Sequence, residues 1–250
     1  MVHQKPADSP ASHSSAKTAK WVLGLAAASA VALSVFYAAN WSALTHLQRA
    51  AHARLLAEKA PWTPLPQVSP WFVKALIATE DRTFYTNWGI SFQGTARAAL
   101  VDLQTGHFTQ GGSTITQQLI RNLMLSPVKT IPRKVTGVLL SLMASDLYSK
   151  KRILTLYVNE VYLGDHSYGI GQASEHYFGI PARQLTLPEA SLLAGLPQAP
   201  SLYDPLVHFR LAKARQQEVL SSMVQDHMLS PGQAKAAYRA TLPLKHGQSA

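Results

Sequence analysis

No cysteine occurs anywhere in the sequence, which excludes disulfide bonds and thiolate metal sites without placing the chain in any compartment. Acidic residues are also scarce, with 13 Asp and Glu against 23 Lys and Arg, a net charge of +10. That excess favours anionic partners, and nucleic acid, phospholipid headgroups and pyrophosphates all satisfy it. Strand signals are sparse and no repeat period is visible, so the core is expected to be helical. What is present supports this. Hydrophobic residues make up 47% of 250, enough for one sizeable core, and they recur at helical spacing, as from Ile153 to Leu163.

The N-terminal residues 1–20 are polar, rich in Ser, Ala and Pro, and carry Lys5, Lys17 and Lys20. They read as a disordered tail. Trp21 to Ala39 follows as an uncharged apolar run, close to the roughly 20 residues a helix needs to cross a bilayer. The preceding lysines orient it as a signal-anchor with a cytoplasmic tail, and the bulk of the chain outside the cytoplasm. A cleaved signal peptide is the rival reading, but the small residues Ala26 to Ala32 lie inside the apolar run instead of after it. Residues 40–66 read as a polar, helix-prone connector broken by Pro61, Pro64 and Pro66. The domain itself is expected over residues 67–243, with residues 244–250 a flexible C-terminus. Export argues against nucleic acid as the partner.

Within the domain, Ser69-Pro70 predicts an N-cap and first helical position, opening a helix that delivers Glu80 and Asp81 near its end. Further helices are expected over 133–148, 149–163, 188–196 and 207–228. The carboxylate pair lies beside Phe84 and Tyr85, a setting in which desolvation raises a glutamate pKa towards that of a general base. The octet Gly111-Gly112-Ser113-Thr114-Ile115-Thr116-Gln117-Gln118 is a glycine turn feeding a helix. Ile115, Leu119, Ile120 and Leu123 share one side of that helix, and Thr114, Gln117, Gln118, Arg121 and Asn122 the other. A polar stripe at a helix N-terminus suits a phosphate-bearing ligand. It is not a nucleotide-binding P-loop, because no lysine follows the glycines at the required place. Arg133-Lys134 adds two cations that, with Arg121, could neutralise a pyrophosphate leaving group.

Taken in order, Ile77 to Gly89, the octet, Arg133-Lys134, Lys151 to Gly164 and Leu185 to Pro205 resemble the family 51 glycosyltransferases. These are the monofunctional peptidoglycan transglycosylases and the glycosyltransferase domains of class A penicillin-binding proteins. The resemblance implies a mainly α, lysozyme-like domain preceded by one transmembrane helix. It implies polymerisation of lipid II, with Glu80 as general base on the sugar 4-hydroxyl, inversion at the anomeric carbon and release of polyprenyl pyrophosphate. Asp81, Ser113, Thr114, Gln117, Gln118, Arg121, Arg133 and Lys134 match substrate-binding positions. The implied partners are lipid II, the growing glycan strand, the membrane and other cell-wall assembly proteins. A divalent cation, Mg2+ or Mn2+, is the one cofactor implied.

Four positions depart from the family pattern. Gly137 stands where a second glutamate is expected, Asn87 where histidine is usual, His107 where Arg or Lys is common, and Thr155 where glutamate is usual. Arg121 replaces a common lysine, which keeps the charge and changes the donor geometry. Asp146 and Glu160 are candidate substitutes for the lost carboxylates. The alternative these departures raise is a degenerate member that binds lipid II or glycan as a scaffold or regulator of envelope assembly.

Overall fold

The computed structural model describes residues 11–91, 94, 112–128 and 130–245. The chain divides into two units, residues 1–43 and residues 44–250. The first is the greater part of helix α1 (Ala11–Thr45). The helix opens at Ala11, just after Pro10, and so takes in the second half of the segment whose composition suggested a tail. With no proline or glycine until Gly24 and abundant alanine, nothing there interrupts a helix. Within α1, Lys20–Thr45 is long and apolar enough to cross a membrane.

The described residues of the second unit are mainly α. A recurring device starts its helices. Ser69 caps α3 (Pro70–Glu80), its Oγ accepting from the Trp71 N–H, with proline in the first turn. Thr114 and Gln117 form a reciprocal capping box at the start of α4 (Ile115–Met124). Thr130 caps α5 (Ile131–Leu147), and Ser149 caps α6 (Lys150–Glu160). After α7 (Gly169–Phe178), capping boxes recur at Thr186 and Glu189 for α8 (Leu187–Ala194) and, beyond α9 (Phe209–Gln225), at Ser230 and Gln233 for α10 (Pro231–Arg239). Each box satisfies two backbone N–H groups that the helix cannot reach.

The helices pack as two neighbouring groups. α3, α8 and α9 lie against one another, with α10 on α9, while α4 packs on α5 and α6, α2 (Leu47–Ala57) packs on both α6 and α4, and α7 packs on α6. Phe72, Leu76, Ile115, Leu119, Tyr157 and Tyr177 are fully buried, and each contributes roughly 1.5–3 kcal/mol of hydrophobic stabilisation. α2 belongs to this core. Its Leu47, Ala51 and Leu55 are buried, although the segment reads as a polar connector. Its Arg54 donates to the Asn122 carbonyl and pairs with Glu160.

Two glycines permit close approaches. Gly89 has φ +88, and a Cβ there would lie 2.4 Å from the Ser141 carbonyl oxygen of α5. Gly169 has φ +75 and sits against the Asn159 carbonyl at the end of α6. Neither position tolerates a side chain. At the other end of the chain, Lys245, expected to be frayed, donates its N–H to the Tyr177 carbonyl at 2.8 Å and places its ammonium on Glu175. Residues 246–250 lie outside the described residues.

Candidate active site

The end of α3 and the start of α4 meet at a pair of carboxylates. Asp81 is 5% exposed and fully engaged. One oxygen accepts from the Ile115 N–H at 3.1 Å, the other from the Asn87 amide at 2.8 Å and the Thr83 hydroxyl at 3.3 Å. Asp81, one of the expected substrate-binding residues, fixes the N-terminus of α4 against the end of α3. A buried carboxylate at a helix N-terminus meets both the free N–H groups and the helix dipole. Burial raises its pKa, against the hydrogen bonds from Asn87 and Ile115 and the charge of Lys150. Asn87 completes this corner, its oxygen accepting from the Gly89 N–H at 2.9 Å and the Lys150 ammonium at 3.0 Å.

Glu80 points the other way. It is part-buried, and Oε2 accepts from the Gln118 amide at 2.7 Å. The Gln118 carbonyl in turn accepts from the Tyr157 hydroxyl at 2.8 Å. Tyr157 is fully buried, and its pKa is driven well up by burial and then by the charge of Glu80, so it remains a neutral donor. It fixes the flip of the Gln118 amide and so presents an N–H to Glu80. Burial raises the Glu80 pKa above the ordinary glutamate value. The Gln118 hydrogen bond and the charges of Arg215 and Arg121 oppose this, while Asp81 adds to it. The result is a carboxylate made more basic yet still held by the Gln118 amide, as a general base requires.

Thr114 is 1% exposed and turned inward, its hydroxyl donating to the Gly89 carbonyl at 2.6 Å while accepting from the Gln117 N–H. It shapes the loop from beneath. Ser113, Gln117, Arg121, Arg133, Lys134 and Gly137 line a cleft of about 400 Å³, together with Leu125, Ile131 and Val138. Arg121 lies on the same helix as Gln118, and its charge reaches Glu80, so cleft and carboxylate form one electrostatic unit. One arm of Arg133 donates to the Ser126 carbonyl at 3.2 Å, and its Nε is buried without a hydrogen-bond partner among the described residues.

The candidate substitutes for the lost carboxylates are elsewhere. Glu160 is 1% exposed and paired with Arg54. Burial raises its pKa to about 7 despite that arginine. Asp146 is exposed, and neither acid lines the cleft. The Thr155 hydroxyl donates back to the Lys151 carbonyl on its own helix. His107 lies outside the described residues, as does Gly111. Sequence reasoning missed Tyr157 and Arg215, which reach Glu80 from α6 and α9 and carry no local signal.

Of the aromatic residues near the domain start, Phe72 is core, whereas Trp88 is 80% exposed. Ile131 and Val135 are exposed beside Arg133 and Lys134.

Residues 46–224 match the family model described as transglycosylase. Penicillin-binding protein 1A of Escherichia coli is 47% identical over 169 residues, covering 68% of this chain and 20% of that protein. Its namesake from Neisseria gonorrhoeae is 44% identical over 168 residues, 67% of this chain and 21% of that protein. That of Aquifex aeolicus is 38% identical over 188 residues, 75% and 26%. The chain thus spans between a fifth and about a quarter of the length of these relatives. The match opens at residue 46, which puts α2 inside the domain.

Proposed function

Because the chain belongs to the transglycosylase family, we propose that it is a peptidoglycan glycosyltransferase that joins lipid II units into glycan strands. The carrying observation is the Glu80 carboxylate, desolvated, hydrogen-bonded to Gln118 and set beside a cleft with three cations. In this reading Glu80 takes the proton of the sugar 4-hydroxyl of one lipid II. The freed oxygen attacks the anomeric carbon of the lipid-linked strand, the carbon–oxygen bond to pyrophosphate breaks, and the configuration inverts. Negative charge grows on the departing pyrophosphate, where Arg121, Arg133 and Lys134 would meet it. Fixed cations at the point of developing charge stabilise the transition state more than the ground state.

The membrane fits the same scheme. Lys20–Thr45 would anchor the chain in the cytoplasmic membrane with the domain on the outer side. The exposed Ile131 and Val135 beside the cations suit a substrate whose polyprenyl tail stays in the bilayer. Anionic headgroups would also draw in the basic surface.

One observation favours a second reading. With glycine at 137 and threonine at 155, no acid stands among the described residues lining the cleft, as in a member retained for binding lipid II without polymerising it. Polymerisation of labelled lipid II by the full chain in detergent separates the two. Glu80→Gln should lower the rate by about 10³-fold, the scale of general-base catalysis, with lipid II binding unchanged. A native chain that binds lipid II and yields no strands would establish the binding protein.

A further inference from the structure

The family resemblance implies a divalent cation beside the pyrophosphate, and the cleft's own residues are a poor match for one. Among the described residues its lining includes Arg121, Arg133 and Lys134 and no carboxylate or histidine. Among the described residues, the side-chain oxygen donors of the lining are the hydroxyls of Ser113 and Thr130 and the amide of Gln117. No group of three or more His, Cys, Asp or Glu side chains is placed to hold a metal among the described residues. Mg2+ and Mn2+ are hard cations held by carboxylates. A cleft with three positive charges and neutral oxygens repels them, since like charges a few ångströms apart oppose each other at a protein surface.

The same residues suit an anion approaching alone. Arg121 and Arg133 are guanidinium forks shaped to receive phosphate oxygens in pairs. The Arg133 Nε is buried and unpartnered, a donor whose desolvation has no compensation until a ligand supplies an acceptor. Gly137 keeps the floor low. A Cβ there would already lie 3.1 Å from Leu125 Cδ1, so a glutamate would displace Leu125 or extend into the cleft, where it would neutralise a cation.

We infer that this cleft takes the diphosphate of its substrate as the bare anion, ion-paired to Arg121, Arg133 and Lys134, with glycine at 137 leaving no carboxylate there to hold a metal or to neutralise a cation. The inference rests on the glycosyltransferase reading for the identity of the substrate. The binding chemistry can be measured without it.

Calorimetric titration of the full chain in detergent with inorganic pyrophosphate, in EDTA and again in excess Mg2+, is the test. Binding should be present in EDTA and weaker in Mg2+, which sequesters the probe. Arg133→Ala should weaken binding in EDTA by about tenfold or more, the value of a charge-assisted hydrogen bond, and Arg133→Lys should recover part of it. Gly137→Glu should weaken binding in EDTA by a similar factor and reverse the effect of Mg2+, so that the metal now strengthens binding. Binding that appears only on adding Mg2+, or a Gly137→Glu chain with native affinity in EDTA, overturns the inference. Lipid II polymerisation in EDTA separates its failure from that of the enzyme reading. Strands made only with Mg2+ would refute the metal-free cleft and leave the enzyme intact. Pyrophosphate bound in EDTA with no strands under any condition would refute the enzyme and leave the cleft as inferred.

Discussion

Around Glu80 and Asp81 the protein supplies its own partners, whereas across the cleft Arg121, Arg133 and Lys134 stand without an ion-paired acid among the described residues. On the first side, Gln118, Asn87 and the Ile115 N–H satisfy the carboxylates, and Tyr157 and Lys150 back Gln118 and Asn87, so that two helices and a loop supply the partners. On the second, Arg121 and Lys134 are exposed, and the Arg133 Nε is unpartnered. The carboxylate side is complete before any ligand arrives, so its geometry is preorganised and fold and site are one object there. The cation side is completed by what binds, and its residues should be far less coupled to stability. Substitutions on the two sides should therefore fail in different ways.

The sharpest way to break this contrast is Asp81→Ala. It strands the Ile115 N–H and the Asn87 amide in a buried corner, and each unsatisfied buried donor costs on the order of 1–3 kcal/mol. A loss of about 3 kcal/mol in stability is expected, seen as a fall of several degrees in the melting temperature of the full chain. Polymerisation should be lost with it, because α4 carries Gln118. Asp81→Asn, which keeps one acceptor, should cost roughly half as much. If Asp81→Ala melts like the native chain while Arg133→Ala melts lower, the contrast between the walls is wrong.

The next effect is smaller and concerns pH. Gln118→Leu removes the donor that opposes the rise in the Glu80 pKa. A general base works deprotonated, so activity falls as pH drops through its pKa, and raising the pKa moves that acid limb upward. A shift of about one pH unit in kcat/KM is expected, since a hydrogen bond to a charged group is worth about 1.5 kcal/mol. The sign for stability is the reverse of an ordinary ion-paired acid. A folded-state pKa raised by burial means the folded chain holds its proton more tightly. Stability is then full below the ordinary glutamate value and declines as pH rises through the raised one. An acid limb that stays in place would mean that Gln118 positions the substrate and not the base.

Legibility in the sequence follows the same division between local and distant causes. α3, α4 and α5 are announced by residues adjacent to them, Ser69-Pro70, Thr114 with Gln117, and Thr130 with Pro132. Glu80 and the cleft cations were legible through the ordered motifs that resemble the family 51 glycosyltransferases. α7 was not legible, because Gly169 and Gly171 look like a turn until the close approach to Asn159 is seen. α10 buries only Ala237, too little to make an apolar stripe. α2 reads as polar since its Arg54 finds its acid, Glu160, in a helix about a hundred residues on. Tyr157 and Arg215 act on Glu80 only through tertiary packing, and no short pattern encodes that.

The smallest expected effect concerns Gly137, and it asks whether the fold or the cleft needs glycine there. The backbone does not. Gly137 lies inside α5 and is not among the positive-φ glycines, so an L side chain is conformationally free to replace it. Alanine is favoured over glycine in a helix interior by about 1 kcal/mol. Against this, the new Cβ would meet Leu125 Cδ1 at 3.1 Å, close enough to make that methyl give way by a few tenths of an ångström. Leu125 is only part-buried and ends its helix, so it can yield. Gly137→Ala should therefore stabilise the chain by about 0.5 kcal/mol, a melting shift of a degree or two. Pyrophosphate affinity in EDTA should change by less than about threefold, because alanine adds no charge. A destabilised variant would mean that the packing of Leu125 demands glycine. A stable variant with native affinity would tie the consequence of this position to the missing carboxylate itself, which only Gly137→Glu restores.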